Sequence, residues 1–508
     1  MTTAQICIMI SIVIYLASML LIGIAYSKKT KNVGDFYLGG RKLGPIVTAM
    51  SAEASDMSSY LLMGLPGLAY LSGYAEVGWT VIGLAVGTYL NWLIVAKKLR
   101  NYSAHIGAIT IPDYFSLRYK DNKKILMAVS AAIIIIFFVP YTASGFSACG
   151  KLFGTLFGID YHIAMIVSAI VIIGYTSLGG FNAASVTDLV QSIIMTVALL
   201  IVLVFGIIKA GGIGAVVDNA EQLSGYLNLF TVHSDDGNTS TSFGVINIIS
   251  TLAWGLGYFG MPHILLRFMA IENPHKIKIS RRVATVWVVI SMFIAIAIGT
   301  VGRGMVNNGA IEPFADSETI IIQISRVLSN EGILPALIAG VILAGILAST
   351  MSTSDSQLLA ASSAASENIL GGIFNLKLSE TTKMIVARVT LIAISIIGVI
   401  IAWDSNSSVF GIVSFAWAGF GAAFGPVILL SLFWKRSNKY GAVIGMLTGG
   451  AMVFIWKFVI ANLSPVFKIY ELLPAFLTGL LINVIVSLLT SKPDGEIVKT
   501  FDEVKKIK

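Results

Sequence analysis

Four carboxylates, Glu53, Asp56, Asp188 and Asp355, stand inside stretches of chain that otherwise hold almost no charge. A charged side chain at the centre of a bilayer costs at least about 2.5 to 3.5 kcal/mol, so each of these acids needs a partner or a task. Glu53 and Asp56 belong to Ser51-Ala52-Glu53-Ala54-Ser55-Asp56-Met57-Ser58-Ser59, which is followed by Gly64-Leu65-Pro66-Gly67. Glycine and proline release backbone groups from a helix ladder, and in a membrane such groups persist only where they line a cavity or bind something. Asp56, beside this interruption, reads as an acid with a cation-related role. Asp188 follows Ser185-Val186-Thr187 at the start of an apolar run, where it reads equally as a helix cap at a membrane surface or as a cation partner.

Asp355 lies in Ala348-Ser349-Thr350-Met351-Ser352-Thr353-Ser354-Asp355-Ser356-Gln357, an oxygen-rich end to an apolar run. Hydroxyls in a helix can bond back to carbonyls four residues earlier. Beside an unwound helix they have another use. Sodium is a hard cation that takes several oxygens, and freed carbonyls near Ala54 and Met57 with the hydroxyls of Ser352 and Thr353 would supply them.

A second interruption reads Trp254-Gly255-Leu256-Gly257-Tyr258-Phe259-Gly260-Met261-Pro262. Trp254 and Tyr258 are four residues apart and would share one face of an α-helix. With Tyr141 they would form either ordinary core packing or an aromatic wall for an apolar ring bearing an ammonium. The substrate's carboxylate would then rest on half-helix amides. Gly255 to Gly260 also spells the dinucleotide fingerprint G-x-G-x-x-G, but inside an apolar run and after no strand it is not expected to hold a cofactor. Gly421 to Gly425 is a G-x-x-x-G, read as close helix packing. No cluster of nucleophile, base and orienting group suggests an enzyme.

The elements that must position these residues are membrane helices. The 508-residue chain is 56% hydrophobic and 12% charged, against about 25% charged in soluble domains. About thirteen apolar runs appear on a window of roughly 19 residues, from Ile6 to Leu489. The expected fold is an all-α polytopic membrane protein: one transmembrane domain over residues 1–490 and a tail over 491–508. Two interruptions five spans apart point to a site between inverted repeats, about 46–208 and 245–434. The first run lacks a basic leader and a cleavage site, and Lys28, Lys29 and Lys31 follow it. With the N-terminus outside, most of the 34 Lys and Arg fall on one side, which the positive-inside rule makes cytoplasmic, together with the C-terminus. The +8 net charge is therefore a topology signal and no nucleic-acid footprint. Cys7 and Cys149, both in apolar runs, read as small buried packers.

Leu38-Gly39-Gly40-Arg41, Ser55-Asp56-Met57-Ser58, Met63-Gly64-Leu65-Pro66-Gly67, Trp254 to Gly260, Pro262-His263-Ile264-Leu265 and Ala416 to Pro426, in this order and spacing, resemble the sodium/solute symporter family from about Tyr26 to Leu489. The resemblance implies thirteen helices and a leucine-transporter-type five-plus-five inverted repeat with broken second and seventh helices. It also implies alternating access, with sodium as the co-transported ion in a bacterial cytoplasmic membrane. Its proline carriers are the nearest pattern, so L-proline is the expected substrate, with another small solute as the alternative and no obligate protein partner. It places sodium on the carbonyls of Ala54, Met57 and Ser349 and the hydroxyls of Ser352 and Thr353, with Asp56 important to sodium use. Proline falls on Ser58, Tyr141, Trp254, Tyr258 and Pro262. Asp188, Asp355 and Ser356 match the region where some members hold a second sodium, although proline carriers use one. Three departures stand at or beside the site: Ser349 where the pattern looks alanine-like, harmless if only its carbonyl ligates, Glu53 where the pattern has glycine, which adds an acid beside the sodium site, and Met261 where it has glutamine. A sensory module coupled to a kinase and an open channel are the readings from other classes. The short tail argues against the first and the two interruptions against the second.

Overall fold

The computed structural model describes residues 2–27, 33–236, 238–374 and 379–507, so Lys28, Lys29 and Lys31 of the topology argument lie outside the described residues. Nearly every apolar run becomes a long helix, because in hydrocarbon a helix satisfies all its backbone groups internally. Among the described residues ten helices are long and apolar enough to cross a membrane, and the bent pair Val245–Phe259 and Pro262–Ala270 makes eleven. The other two expected spans fall on Tyr161–Gly174, which is short, and on Pro45–Ser59 continued by Leu65–Ser72, which is broken.

In chain order the spans are α1 (Thr3–Ser27), α2 (Pro45–Ser59 and Leu65–Ser72), α3 (Tyr74–His105), α4 (Ile125–Phe157), α5 (Tyr161–Gly174) and α6 (Gly180–Lys209). They continue with α7 (Val245–Phe259 and Pro262–Ala270), α8 (Ile277–Asn307), α9 (Ile333–Ser363), α10 (Glu380–Ile401), α11 (Val409–Phe433), α12 (Lys439–Phe458) and α13 (Leu472–Leu489). An amphipathic helix, α14 (Gly495–Lys506), ends the described chain. Between α6 and α7 lies a small antiparallel hairpin of β1 (Thr231–Ser234) and β2 (Thr239–Ser242).

The outer surface is studded with exposed large apolar side chains such as Ile170, Leu200, Phe293 and Ile400, as expected where the solvent is lipid. Inside, α9 packs against α1, α2, α4 and α6, and α11 packs against α4 and the middle of α7. Small residues make these approaches possible. A Cβ on Gly255 would strike the carbonyl of Gly83 on α3, and one on Gly257 would strike the Trp417 indole on α11. The glycines of the dinucleotide-like string are thus occupied in backbone packing. Gly421 likewise lies against Gly257 and Leu472.

Candidate transport site

Both interrupted helices are broken where glycine, proline and clustered hydroxyls compete with the ladder. In α2 the break falls at Ser58, whose backbone adopts φ 28°, ψ −168°, and a π turn over Tyr60–Gly64 follows before Leu65 resumes the helix. The Ser58 hydroxyl accepts a bond from the amide of Tyr60 at 3.1 Å, so the side chain compensates part of what the backbone loses. In α7 residues Ala253–Phe259 tighten into a 3₁₀ turn, and Met261 bridges in extended conformation to Pro262, the first residue of the second half. The two halves meet at 45°.

The oxygen-rich end of α9 lies against the α2 break. Ser352 Oγ donates to the carbonyl of Ala54 at 2.8 Å and approaches that of Ser349 at 3.2 Å, while Thr353 Oγ1 donates to Ser349 at 3.0 Å. Four of the five expected sodium ligands, Ala54, Ser349, Ser352 and Thr353, are therefore brought together, all of them buried. These hydroxyls can turn their lone pairs to a cation while the carbonyls stay in place. The fifth, the Met57 carbonyl, accepts from the Tyr60 amide.

Asp56 points the other way. Its carboxylate accepts the Tyr258 hydroxyl at 2.6 Å and its carbonyl accepts that of Tyr141 at 3.2 Å. Asp56 thus joins the residues assigned to substrate. With Met57, Tyr60, Tyr141, Trp254 and Trp417 it lines a central cavity of about 10 Å³, room for about one water molecule. Ser58, Tyr258 and Pro262 do not line that cavity.

The expectation that Trp254 and Tyr258 share a face is overturned. A 3₁₀ turn has three residues per turn, so residues four apart point in directions about 120° apart. Tyr258 goes to Asp56, whereas Trp254 stacks on Tyr60 (5.7 Å) and Tyr470 (4.8 Å) and packs beside Phe410 (5.5 Å). Trp417 joins both: its indole N–H donates to the freed carbonyl of Trp254 at 2.8 Å, and its ring meets Tyr258 edge-on at 5.0 Å. Beyond the aromatic layer opens a vestibule of about 310 Å³ that Trp254, Phe410 and Tyr470 also line. Trp254 is therefore at once the wall of the central cavity and the floor of the vestibule. Tyr60 and Trp417 were missed in the sequence; each stood in a quoted string or beside one, and only the 3₁₀ geometry shows their direction.

A second buried cluster lies farther along the same helices. Asp188 is fully buried within α6, not at a surface, so the capping reading is corrected: its carboxylate accepts Ser51 Oγ at 2.6 Å and Arg267 Nη2 at 3.1 Å. Arg267 also donates to Ser51 Oγ (3.0 Å), the His263 carbonyl (3.0 Å) and Ser356 Oγ (2.5 Å). Ser356 in turn bonds Asp355 Oδ1 at 3.2 Å. Asp188 Oδ1 and Asp355 Oδ2 have no hydrogen-bond partner. Arg267 stands within the apolar run ending at Met269, and its charge there is the one sign in the sequence of a partner for Asp188. Glu53 keeps apart from both cluster and cavity: Oε1 accepts the Trp92 indole N–H at 2.9 Å and Oε2 has no partner.

Two broken helices crossing beside an oxygen cluster and an occluded cavity define a secondary-transporter fold. Solved structures of that class superpose on it. A Na⁺-coupled sialic acid symporter in a substrate-bound outward-open state matches with TM-score 0.78 at 20% identity, over 96% of this chain and 99% of that one. A nucleobase-cation-symport-1 family transporter in a closed conformation matches with TM-score 0.55 at 13% identity, over 94% and 100%. The chain belongs to the sodium:solute symporter family, whose description matches residues 36–449. Among its relatives are a sodium/proline symporter of Haemophilus influenzae, 42% identical over 98% of this chain and 97% of the relative, and a high-affinity proline transporter of Bacillus subtilis, 41% identical over 96% and 98%.

Proposed function

We propose that the chain imports L-proline with one sodium ion per substrate by alternating access around the two broken helices. The observation that carries the reading is the meeting of Ala54, Ser349, Ser352 and Thr353 oxygens at the α2 break, supported by near full-length relatives named for proline. Sodium bound there would tie α9 to α2 and stiffen the break on which Asp56 and Ser58 sit. The substrate's ring would replace contacts among Tyr60, Tyr141, Trp254 and Trp417. Its ammonium would take an acceptor at Asp56, and its carboxylate the amides near the breaks. The central cavity must widen for this, and Trp254, which floors the vestibule, is the side chain whose movement would open it outward.

The N-terminus lies outside and the tail inside, the repeats span about 46–208 and 245–434 within one membrane domain, and the reading requires no partner protein. One sodium suffices. At ~100 mV an inward charge supplies about 2.3 kcal/mol and a roughly tenfold sodium gradient about 1.4 kcal/mol; their sum accumulates a zwitterion on the order of 500-fold. Arg267 already supplies a positive charge to Asp188 and Ser356, where a second sodium would otherwise be wanted. The test is uptake of labelled proline into proteoliposomes, with sodium replaced by choline and a panel of unlabelled competitors. Uptake that ignores sodium, or stronger competition by another amino or organic acid, overturns the coupling or the substrate respectively.

A further inference from the structure

Where α14 folds back on the end of α3, a cavity of about 310 Å³ is lined by Lys97, Lys98 and Lys505, and among the described residues no carboxylate side chain lines it. Asn101 and Tyr102 form its inner wall, and Phe433, at the end of α11, its rim. The Lys98 ammonium lies 3.9 Å from the centre of the Phe433 ring. No carboxylate pairs with Lys97, Lys98 or Lys505 among the described residues. Of the three acids of α14, Glu496 pairs with Lys120 and Glu503 with His105 and Lys499, and Asp502 does not line the cavity.

Behind the inner wall stands a second, independent feature. Arg118 is 1% exposed, its Nε donates to the Ser431 carbonyl at 3.0 Å, and both terminal nitrogens lack a partner. Its guanidinium lies 5.2 Å from the Tyr102 ring and 5.3 Å from that of Phe501, both of which line the cavity. Tyr102 itself is 2% exposed and its hydroxyl is unpartnered. A buried guanidinium without an anion is costly, and the three lysines repel one another across the cavity they share. The site is built for negative charge.

We propose that this cavity binds the phosphate of an anionic phospholipid. The rim decides between a lipid and a free anion. Phe433 is exposed on the apolar surface, as is Leu93 one turn before Lys97, so acyl chains can lie along α3 and α11 while the headgroup enters beneath α14. In the proposed topology this face is cytoplasmic, where basic pockets between spans meet anionic headgroups. The bound lipid would fasten α14, through Phe501 and Val504, onto the ends of α3 and α11.

The experiment uses the full chain purified in detergent and native mass spectrometry with added phosphatidylglycerol, phosphatidylcholine or inorganic phosphate. Phosphatidylglycerol should be retained and should raise the unfolding temperature, with neither effect from phosphatidylcholine. Lys97→Gln, Lys98→Gln and Lys505→Gln should each weaken retention about fivefold, the share of one lysine near an anionic surface. Lys278→Gln, Arg282→Gln and Lys492→Gln, at positions exposed on the same face, should leave it unchanged. Equal loss in this second set would reduce the effect to general surface charge and overturn the site. Equal stabilisation by inorganic phosphate would make it a free-anion site, and equal retention of phosphatidylcholine, whose choline cancels the charge of its phosphate, would show that net negative headgroup charge is not read and overturn the site.

Discussion

The molecule holds two buried acids on facing helices that differ in where their positive partner comes from. Asp188 has one from the chain itself: Arg267 reaches it at 3.1 Å and spreads its other donors over Ser51, Ser356 and the His263 carbonyl. Asp56 has only hydroxyls, from Tyr258 on its carboxylate and Tyr141 on its carbonyl, and stands beside an oxygen cluster that contains no cationic side chain. A protein that must bind and release a cation leaves that charge out of its sequence; where the charge must stay, it builds in an arginine. The first arrangement stores stability, and the second leaves work for a gradient to do.

The largest effect should follow from removing the built-in cation. Arg267→Gln leaves Asp188 buried and uncompensated, a loss of about 3 to 5 kcal/mol, read as a large drop in unfolding temperature and membrane yield. Asp188→Asn in the same chain should recover much of it. If sodium protected Arg267→Gln as well as the added Asp188→Asn change does, with a charge-to-proline ratio rising from one to two, the cluster would be a cation site masked by arginine. A ratio of two in the unaltered protein would break the comparison altogether.

Next comes the acid without a cation. Asp56→Asn removes a charged acceptor from Tyr258, and a hydrogen bond to a charged group is worth about 1.5 to 3 kcal/mol. Sodium activation should shift by about tenfold or more, with folding retained. Thr353→Ala removes one proposed ligand and should weaken sodium activation more than proline binding at saturating sodium. Wild-type sodium dependence in either variant would take that residue out of the sodium reading.

Trp254→Ala should cost proline affinity at least ~1 kcal/mol, the scale of an aromatic contact, with sodium binding in the absence of substrate little changed. Because Trp254 also floors the vestibule, combining it with Met57→Cys should let a thiol reagent added outside reach the central cavity. An unchanged affinity with unchanged access would leave Trp254 as core packing.

These contrasts also mark what the sequence made legible. Span number and the two breaks follow from hydropathy and from Gly and Pro, which act locally, so they could be read without a structure. The meeting of Ser352 with Ala54, across 298 positions of chain, was legible from the coordination needs of a hard cation beside a broken helix, and the resemblance added the Ser349 carbonyl. The direction of Trp254 was misread because a 3₁₀ turn and an α-helix share the same residues and differ in pitch. Asp188 read equally as a cap, because Ser185 and Thr187 precede it, and as a cation partner; its neighbour Arg267 comes from a helix that composition alone does not pair with α6. Tyr60 carried no signal beyond being aromatic.

The smallest effect belongs to a second arginine–aspartate pair, which provides the control for the first. Arg303 Nη1 meets Asp235 Oδ2 at 3.0 Å beside the β1–β2 hairpin, and the Asp235 side chain is 55% exposed. The hydrogen bond from Arg303 holds the Asp235 carboxyl below its ordinary value, with smaller help from His233. A depressed carboxyl contributes stability above its unfolded value of about 3.9 and loses it as pH falls through the lower folded value. Between about pH 5 and 8 the contribution of Asp235 ionisation is therefore constant. Water screens this pair, so Asp235→Asn should cost no more than about 1 kcal/mol, against several for Arg267→Gln. Unfolding temperatures of both variants, measured across that pH range and at two salt concentrations, decide the matter. The Asp235 deficit should shrink with salt while that of Arg267 persists, because only the exposed pair is open to counterions. Equal salt sensitivity would mean that water reaches Arg267 and Asp188, and the contrast between a stored charge and an absent one would fail.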